Sequence, residues 1–303
     1  MAEKLDRDFE WDFAGPPINL KIPSTTVGDQ HKAGTYIDEW GCVFTNIYDG
    51  IIGEVKNPLV TGENWEDFDD KVHIPMEQLT FNVNDVNRFC ASTDKFVLSG
   101  TNPRPFEQLQ FIRGTENLFV DLALDNPGLT SSLTKMHDFY CELMTAWAKT
   151  DVDGISFMDD WGSQKSLLIN PNTWIEVFKP LYKDYIDIAH SYGKKIFMHT
   201  DGYILDIIPH LIELGLDAIN AQIFCMGVEN LTQFAGEITF WGEIDRQHIL
   251  PYATKAEVEA AVESVYKNLW KNGGCIAQCE FGPGSKPENV YTVFEKWQSI
   301  SEK

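Results

Sequence analysis

From about residue 95 onward, short apolar runs alternate with longer stretches of helical periodicity. Runs at 95–100, 154–160, 195–200, 217–222, 238–243 and 274–280 have strand length and end at polar or glycine positions. That pattern predicts buried strands. Between them, helices are predicted over 105–124, 129–149, 171–192, 204–214 and 255–271, with a short one over 228–235 and a last one from about 287. Strands alternating with helices imply parallel βαβ units. Six such strands in unbroken series fit a (β/α)8 TIM barrel better than a doubly wound sheet. No GxGxxG or GxxxxGK[ST] turn follows any of the runs, which weakens a nucleotide-binding reading.

The first 90 residues break this rhythm. They are rich in Gly, Pro, Asp and Asn, with one strand-like stretch near 36–46. A barrel still needs one or two strands from this part. The expected organisation is one domain over 1–303, irregular over 1–90 and regular over 91–303. The 303 residues are 43% hydrophobic, enough for a barrel-sized core.

Charge narrows the partners. The chain carries 46 acidic and 24 basic side chains, a net charge of −22. Such a chain repels nucleic acid and anionic membrane surfaces, so neither is an expected partner. No apolar run approaches the ~18 residues of a membrane span. The charged start lacks an apolar signal core, so a cytoplasmic location is expected. Six cysteines without a CxxC pair predict reduced thiols, one or two of them available to a metal.

The candidate chemistry sits where the strands end. Asp159-Asp160-Trp161-Gly162, His199-Thr200-Asp201, Gly242-Glu243 and Gln278-Cys279-Glu280 each close an apolar run. In a β/α barrel the C-terminal strand ends carry the active site. Side chains alternate faces along a strand, so Phe197, His199 and Asp201 share one face. Taken alone, His-x-Asp fits a helix cap beside a buried imidazole better than it fits a metal site. Acids and ligands at four rim positions favour the site. Imidazole, carboxylate and thiolate together suit Zn²⁺. Arg104 follows the first of these strands and is a candidate anchor for a ligand's carboxylate or phosphate, or else a surface ion-pair partner. Trp40, Trp161, Phe224, Trp241 and Phe281 neighbour the rim and are candidates to line an apolar pocket, although some are expected simply to pack. Asp29-Gln30-His31-Lys32-Ala33-Gly34 matches the DxHxxG pattern of corrinoid carriers, but no doubly wound domain follows it.

With these residues in hand, the chain resembles the uroporphyrinogen decarboxylase superfamily. The likeness runs from Asp38-Glu39-Trp40-Gly41 to Trp297. It is most specific at Asp159-Asp160-Trp161-Gly162, His199-Thr200-Asp201-Gly202 and Pro287-Glu288-Asn289-Val290. The resemblance implies a (β/α)8 barrel and one of two activities: cofactor-free decarboxylation of uroporphyrinogen, or zinc-dependent methyl transfer to or from a corrinoid protein. The decarboxylases carry an Arg-rich N-terminal stretch, whereas the first arginines here are the isolated Arg7 and Arg88. Nine residues before the Glu of the Pro-Glu-Asn-Val ending they place a His; here that position is Cys279, as in the methyltransferases. The departure is Asp201, where those enzymes usually have a second Cys.

The resemblance therefore implies Zn²⁺ held by His199 and Cys279, with Asp201 or Glu243 as a further ligand. Asp159, Asp160 and Glu243 are the implied catalytic residues. Arg104, Trp161, Trp241 and Phe281 are the implied substrate contacts. The implied partners are a small methylated substrate, a methyl ether before others, and a corrinoid carrier protein. A homodimer is compatible with this, and the reading leaves open whether an N-terminal segment of relatives is missing. The alternatives are decarboxylation of a porphyrinogen-like acid, with Asp38 or Asp160 holding pyrrole N–H groups, and non-enzymatic tetrapyrrole or corrinoid binding.

Overall fold

The computed structural model describes residues 1–17, 21–100 and 103–301. Five parallel strands form its central sheet: β6 (Gly154–Met158), β7 (Lys195–Thr200), β8 (Ala218–Ala221), β9 (Thr239–Gly242) and β10 (Cys275–Ile276). They pair in sequence order, as βαβ units require. A parallel bridge between Leu98 and Gly154 joins β6 to β5 (Phe96–Val97). The strand before β5 in the barrel is β1 (Phe13–Ala14), which pairs with it in parallel. The N-terminal part thus supplies the barrel strand that the apolar rhythm required.

Helices cover the outside of this α/β barrel. Among them are Pro105–Arg113, Pro127–Ala148, Lys179–Ser191, Lys255–Leu269 and Pro287–Ser301. Phe13, Phe96, Phe197 and Trp241 come from β1, β5, β7 and β9 and meet inside the barrel. Phe13 stacks on Trp241 with centroids 4.9 Å apart, and Phe197 lies edge-on to both. They form one filled layer of the barrel interior. Among the described residues no ladder joins β10 to β1. A cavity of 730 Å³ lies there instead, between residues 6–13 and residues 276–279.

Several boundaries differ from the pattern. The helix expected over 105–124 breaks at Gly114, whose φ of +80° ends one helix and starts Thr115–Ala123. The helix over 171–192 contains a π-helical turn at Trp174–Phe178. The stretch near 36–46 is a hairpin rather than one strand. β2 (Gly34–Ile37) and β3 (Val43–Asn46) pair antiparallel, and β4 (Glu54–Val55) extends them. Asp38 makes the turn: its Oδ1 accepts from the backbone of Trp40 and Cys42, at 3.0 and 2.7 Å. The DxHxxG stretch lies in the loop leading into β2, where His31 is exposed. No helix of the described residues is long and apolar enough to cross a membrane.

Candidate active site at the barrel mouth

His199 sits near the end of β7, in register with Asn220 on β8, which is in register with Trp241 on β9. In-register neighbours point to the same side of a sheet, so the three follow one another around the barrel wall. Their hydrogen bonds fix the imidazole. The Asn220 amide nitrogen donates to the Trp241 carbonyl at 2.7 Å and also to Gln278 Oε1. That orients Asn220 Oδ1 as an acceptor, and His199 Nδ1 lies 2.5 Å from it. His199 Nδ1 therefore carries the proton, and Nε2 presents its lone pair.

That lone pair faces two carboxylates. Nε2 is 3.8 Å from Asp160 Oδ1 and 3.8 Å from Asp201 Oδ1. Lone pair and anions repel unless a cation sits among them, either an added proton or a metal. The loops hold the acids in place: Asp160 Oδ1 accepts from the Asp201 backbone nitrogen at 2.9 Å. Asp201 Oδ1 is buried with no hydrogen-bond partner. Ligands at ordinary Zn–N and Zn–O lengths in a tetrahedron stand about 3.4 Å apart, so the three donors need only a small contraction to take one ion. One nitrogen and two carboxylate oxygens, one of them orphaned, fit a zinc-class cation.

Arg246, which the sequence pattern did not single out, organises the acids beside this group. Its Nη2 reaches Asp201 Oδ2 at 2.5 Å, its Nη1 bonds Glu280, and its Nε lies 3.7 Å from Glu243. Burial, then Asp160, raises the Asp201 carboxyl, while Arg246 and His199 oppose the rise. Glu243 is almost fully buried, and its Oε1 has no hydrogen-bond partner. Burial and the neighbouring Glu280 push its carboxyl up to about 9, so it is protonated at neutral pH. It lines a 140 Å³ cavity with Gln222, Phe224, Cys225 and Arg246.

The remaining expected site residues are placed as follows. Cys279 is buried beside Trp241 in the cavity between β10 and β1, and burial, Glu243 and Glu280 raise its thiol to about 12. The group of donors within 4.8 Å of one another holds Asp160, His199 and Asp201, and neither Cys279 nor Glu243. Asp159 is fully buried and already occupied. It accepts from the backbone of Phe106 at 3.1 Å and Glu107 at 2.8 Å, and from the Tyr182 hydroxyl at 2.6 Å. It anchors the start of the Pro105–Arg113 helix. Trp161 is fully buried, stacked on Phe106 at 4.0 Å, with its indole N–H on Tyr182. Trp40 is likewise core. Phe281 and Phe224 are partly buried against the core. Trp241 lies in the barrel layer beneath His199. Arg104 pairs with Glu107 at 3.2 Å; Thr101 and Asn102, before it, lie outside the described residues.

Asn220 is not singled out by the sequence pattern, and Gln278 appears there only as part of a strand end. A lone Asn inside the apolar run 217–222 was the available signal, because a buried amide requires partners.

Among solved structures, a methyltransferase from Methanosarcina mazei is similar in fold. It is 13% identical, with a TM-score of 0.59, over 86% of this chain and 76% of that one. The apo form of 3-keto-D-glucoside 4-epimerase from E. coli matches more distantly, at 12% identity and TM-score 0.42, over 73% of this chain and 85% of that one. A search of curated proteins gives no match. The rim motifs and the Pro287-Glu288-Asn289-Val290 ending all fall within residues 38–299, which match uroporphyrinogen decarboxylase (URO-D), and the chain belongs to that family.

Proposed function

We propose that this URO-D family member is a metal-dependent methyltransferase. It moves a methyl group between a small methylated substrate, a methyl ether before others, and a corrinoid held by a partner protein in the cytoplasm. The observation that carries this reading is the His199 lone pair aimed between Asp160 and Asp201. We infer that His199, Asp160 and Asp201 are the ligands, ahead of Cys279, whose thiol lies in the neighbouring seam. Zinc bound there supplies Lewis acidity to the heteroatom that bears the methyl group.

The chain's own residues do the rest. Asn220 holds the His199 tautomer. Arg246 aligns Asp201 and opposes the rise of its carboxyl. Glu243, protonated at neutral pH, donates a proton to the oxygen left when the methyl departs. Trp241 and its aromatic layer form an apolar floor beneath a compact substrate.

Decarboxylation of a porphyrinogen is disfavoured by charge. Arg104 is taken by Glu107, and Arg246 by three acids. A substrate with many carboxylates would meet an acidic rim whose arginines are already paired.

The test mixes zinc-loaded protein with Ti(III)-reduced cobalamin and a panel of methoxyaromatics, methylamines and methyl thiols. Growth of the methylcobalamin spectrum with one donor, lost in His199→Ala and Asp201→Asn, is expected. Silence across the panel overturns methyl transfer, and coproporphyrinogen formed in an anaerobic assay would establish decarboxylation instead.

A further inference from the structure

A second group of metal donors lies on the outer helices, away from the barrel mouth. His137 and Cys141 are one turn apart on the helix Pro127–Ala148, so they project from the same face. Asp184 comes from the helix Lys179–Ser191, which packs against it. His137 Nε2 lies 2.9 Å from Asp184 Oδ2 and 3.5 Å from Cys141 Sγ. All three donors fall within 4.8 Å of one another. On the far side of the ring, His137 Nδ1 lies 3.2 Å from the hydroxyl of the buried Tyr185.

We propose that His137, Cys141 and Asp184 form a second site for a zinc-class divalent cation, which fastens the two helices together. A surface His–Asp ion pair needs no thiol, yet here Cys141 Sγ lies alongside the same ring, 3.5 Å from Nε2 and 3.9 Å from Nδ1. In a tetrahedral zinc site, S and N stand about 3.6 Å apart, and N and O about 3.4 Å. To share an ion on Nε2 the Cys141 side chain must swing outward from beside the ring, keeping its 3.5 Å to Nε2, and the carboxylate must retreat by about 0.5 Å. Tyr185 is placed to accept the Nδ1 proton, the outer contact that orients a metal-bound imidazole. The Asp184 side chain is 58% exposed, so solvent can fill the fourth position. Binding releases the Cys141 proton to water and changes no oxidation state. The imidazole, thiolate and carboxylate set selects a borderline-soft ion such as Zn²⁺ or Co²⁺ over Mg²⁺ or Ca²⁺.

The inference does not depend on methyl transfer, and cobalt(II) separates the two sites by colour. The full chain, stripped with chelator, is titrated with Co²⁺ while absorbance is followed. Wild type is expected to take two ions and to show the near-ultraviolet thiolate-to-cobalt charge-transfer band. Cys141→Ser should take one ion and lose the band. His199→Ala should take one ion and keep it, and Cys279→Ser should keep it too. Asp184→Asn should weaken the banded site about ten-fold or more. Circular dichroism confirms that each variant is folded, and His137→Gln repeats the loss if Cys141→Ser does not fold. A wild type without the band, or a band that survives Cys141→Ser and vanishes in Cys279→Ser, overturns the proposal. One ion per chain with the band intact upholds this site and counts against the one at the mouth.

Discussion

A Cβ on Gly202 would lie 2.0 Å from the carbonyl oxygen of Gly162. The two glycines press together the loops that follow β6 and β7, and Gly162 N donates to the Asp201 carbonyl at 3.0 Å. This contact sets the spacing of Asp160 and Asp201 about His199. Gly202 also has a φ of +80°, which side chains resist. Gly202→Ala should cost about 3 kcal/mol in urea unfolding, the upper range for overpacking, and should lower metal content at the mouth. Wild-type stability and full metal content in this variant would refute the spacing argument.

Asn220→Ala removes the acceptor that fixes the His199 tautomer without touching either carboxylate. Metal affinity at the mouth should fall 10- to 100-fold, measured by competition with a coloured chelator. An unchanged affinity would mean that the ring is oriented by something else.

Glu243 gives a pH dependence of defined sign. Its carboxyl is raised from 4.5 to about 9 in the folded chain. Between those values the folded state holds more protons than the unfolded state, so this group makes stability fall as pH rises. In Glu243→Gln, the decline in melting temperature from pH 5 to pH 9 should be shallower than in wild type. If Glu243 is also the proton donor, methyl transfer in wild type should fail above about pH 9, while the Gln variant stays slow throughout. Parallel stability profiles would show that Glu243 is ionised in the folded chain.

Trp161 separates rim position from rim function. It is enclosed by Phe106, Trp174, Phe178 and Tyr182. Trp161→Ala should cost about 3–5 kcal/mol. Trp241→Phe should leave stability within about 1.5 kcal/mol, as a smaller apolar exchange, and act on KM. A destabilisation that is larger for Trp241→Phe would reverse these roles.

The strand at 195–200 was legible to the residue, because an apolar run between a lysine pair and a His-x-Asp has few other readings. That Asp160, His199 and Asp201 share one rim was legible, because neighbouring parallel strands end there; that the donor group would hold Asp160 in place of Cys279 was not, since strand-end position alone does not say which side chains converge. β1 was not legible, since two residues carry no periodicity and only pairing with Phe96–Val97 makes them a strand. The hairpin at 34–46 looked like one strand because Ile37, Trp40 and Cys42 carry apolar positions through its turn, although Gly41, at φ +90°, was a turn signal. Arg246 was hidden because its three partners come from separate strand ends, a convergence that no local spacing records. Asp159 and Trp161 lie in a rim motif but face the helix layer, a consequence of side-chain alternation past the strand end.

The pairing of β1 with β5 has a kinetic meaning. The chain leaves the barrel after Ala14 and returns only at Phe96, so this ladder closes a far longer loop than the βαβ units that follow. The entropy of that closure must be spent before its few hydrogen bonds form. The amides of Phe96 and Leu98, which donate to the carbonyls of Asp12 and Ala14, therefore belong to the first part of the barrel to open. In hydrogen–deuterium exchange they should lose protection well before Met198, deep in β7, and the barrel should come apart at its N-terminal strand while the wall that carries His199 is still intact.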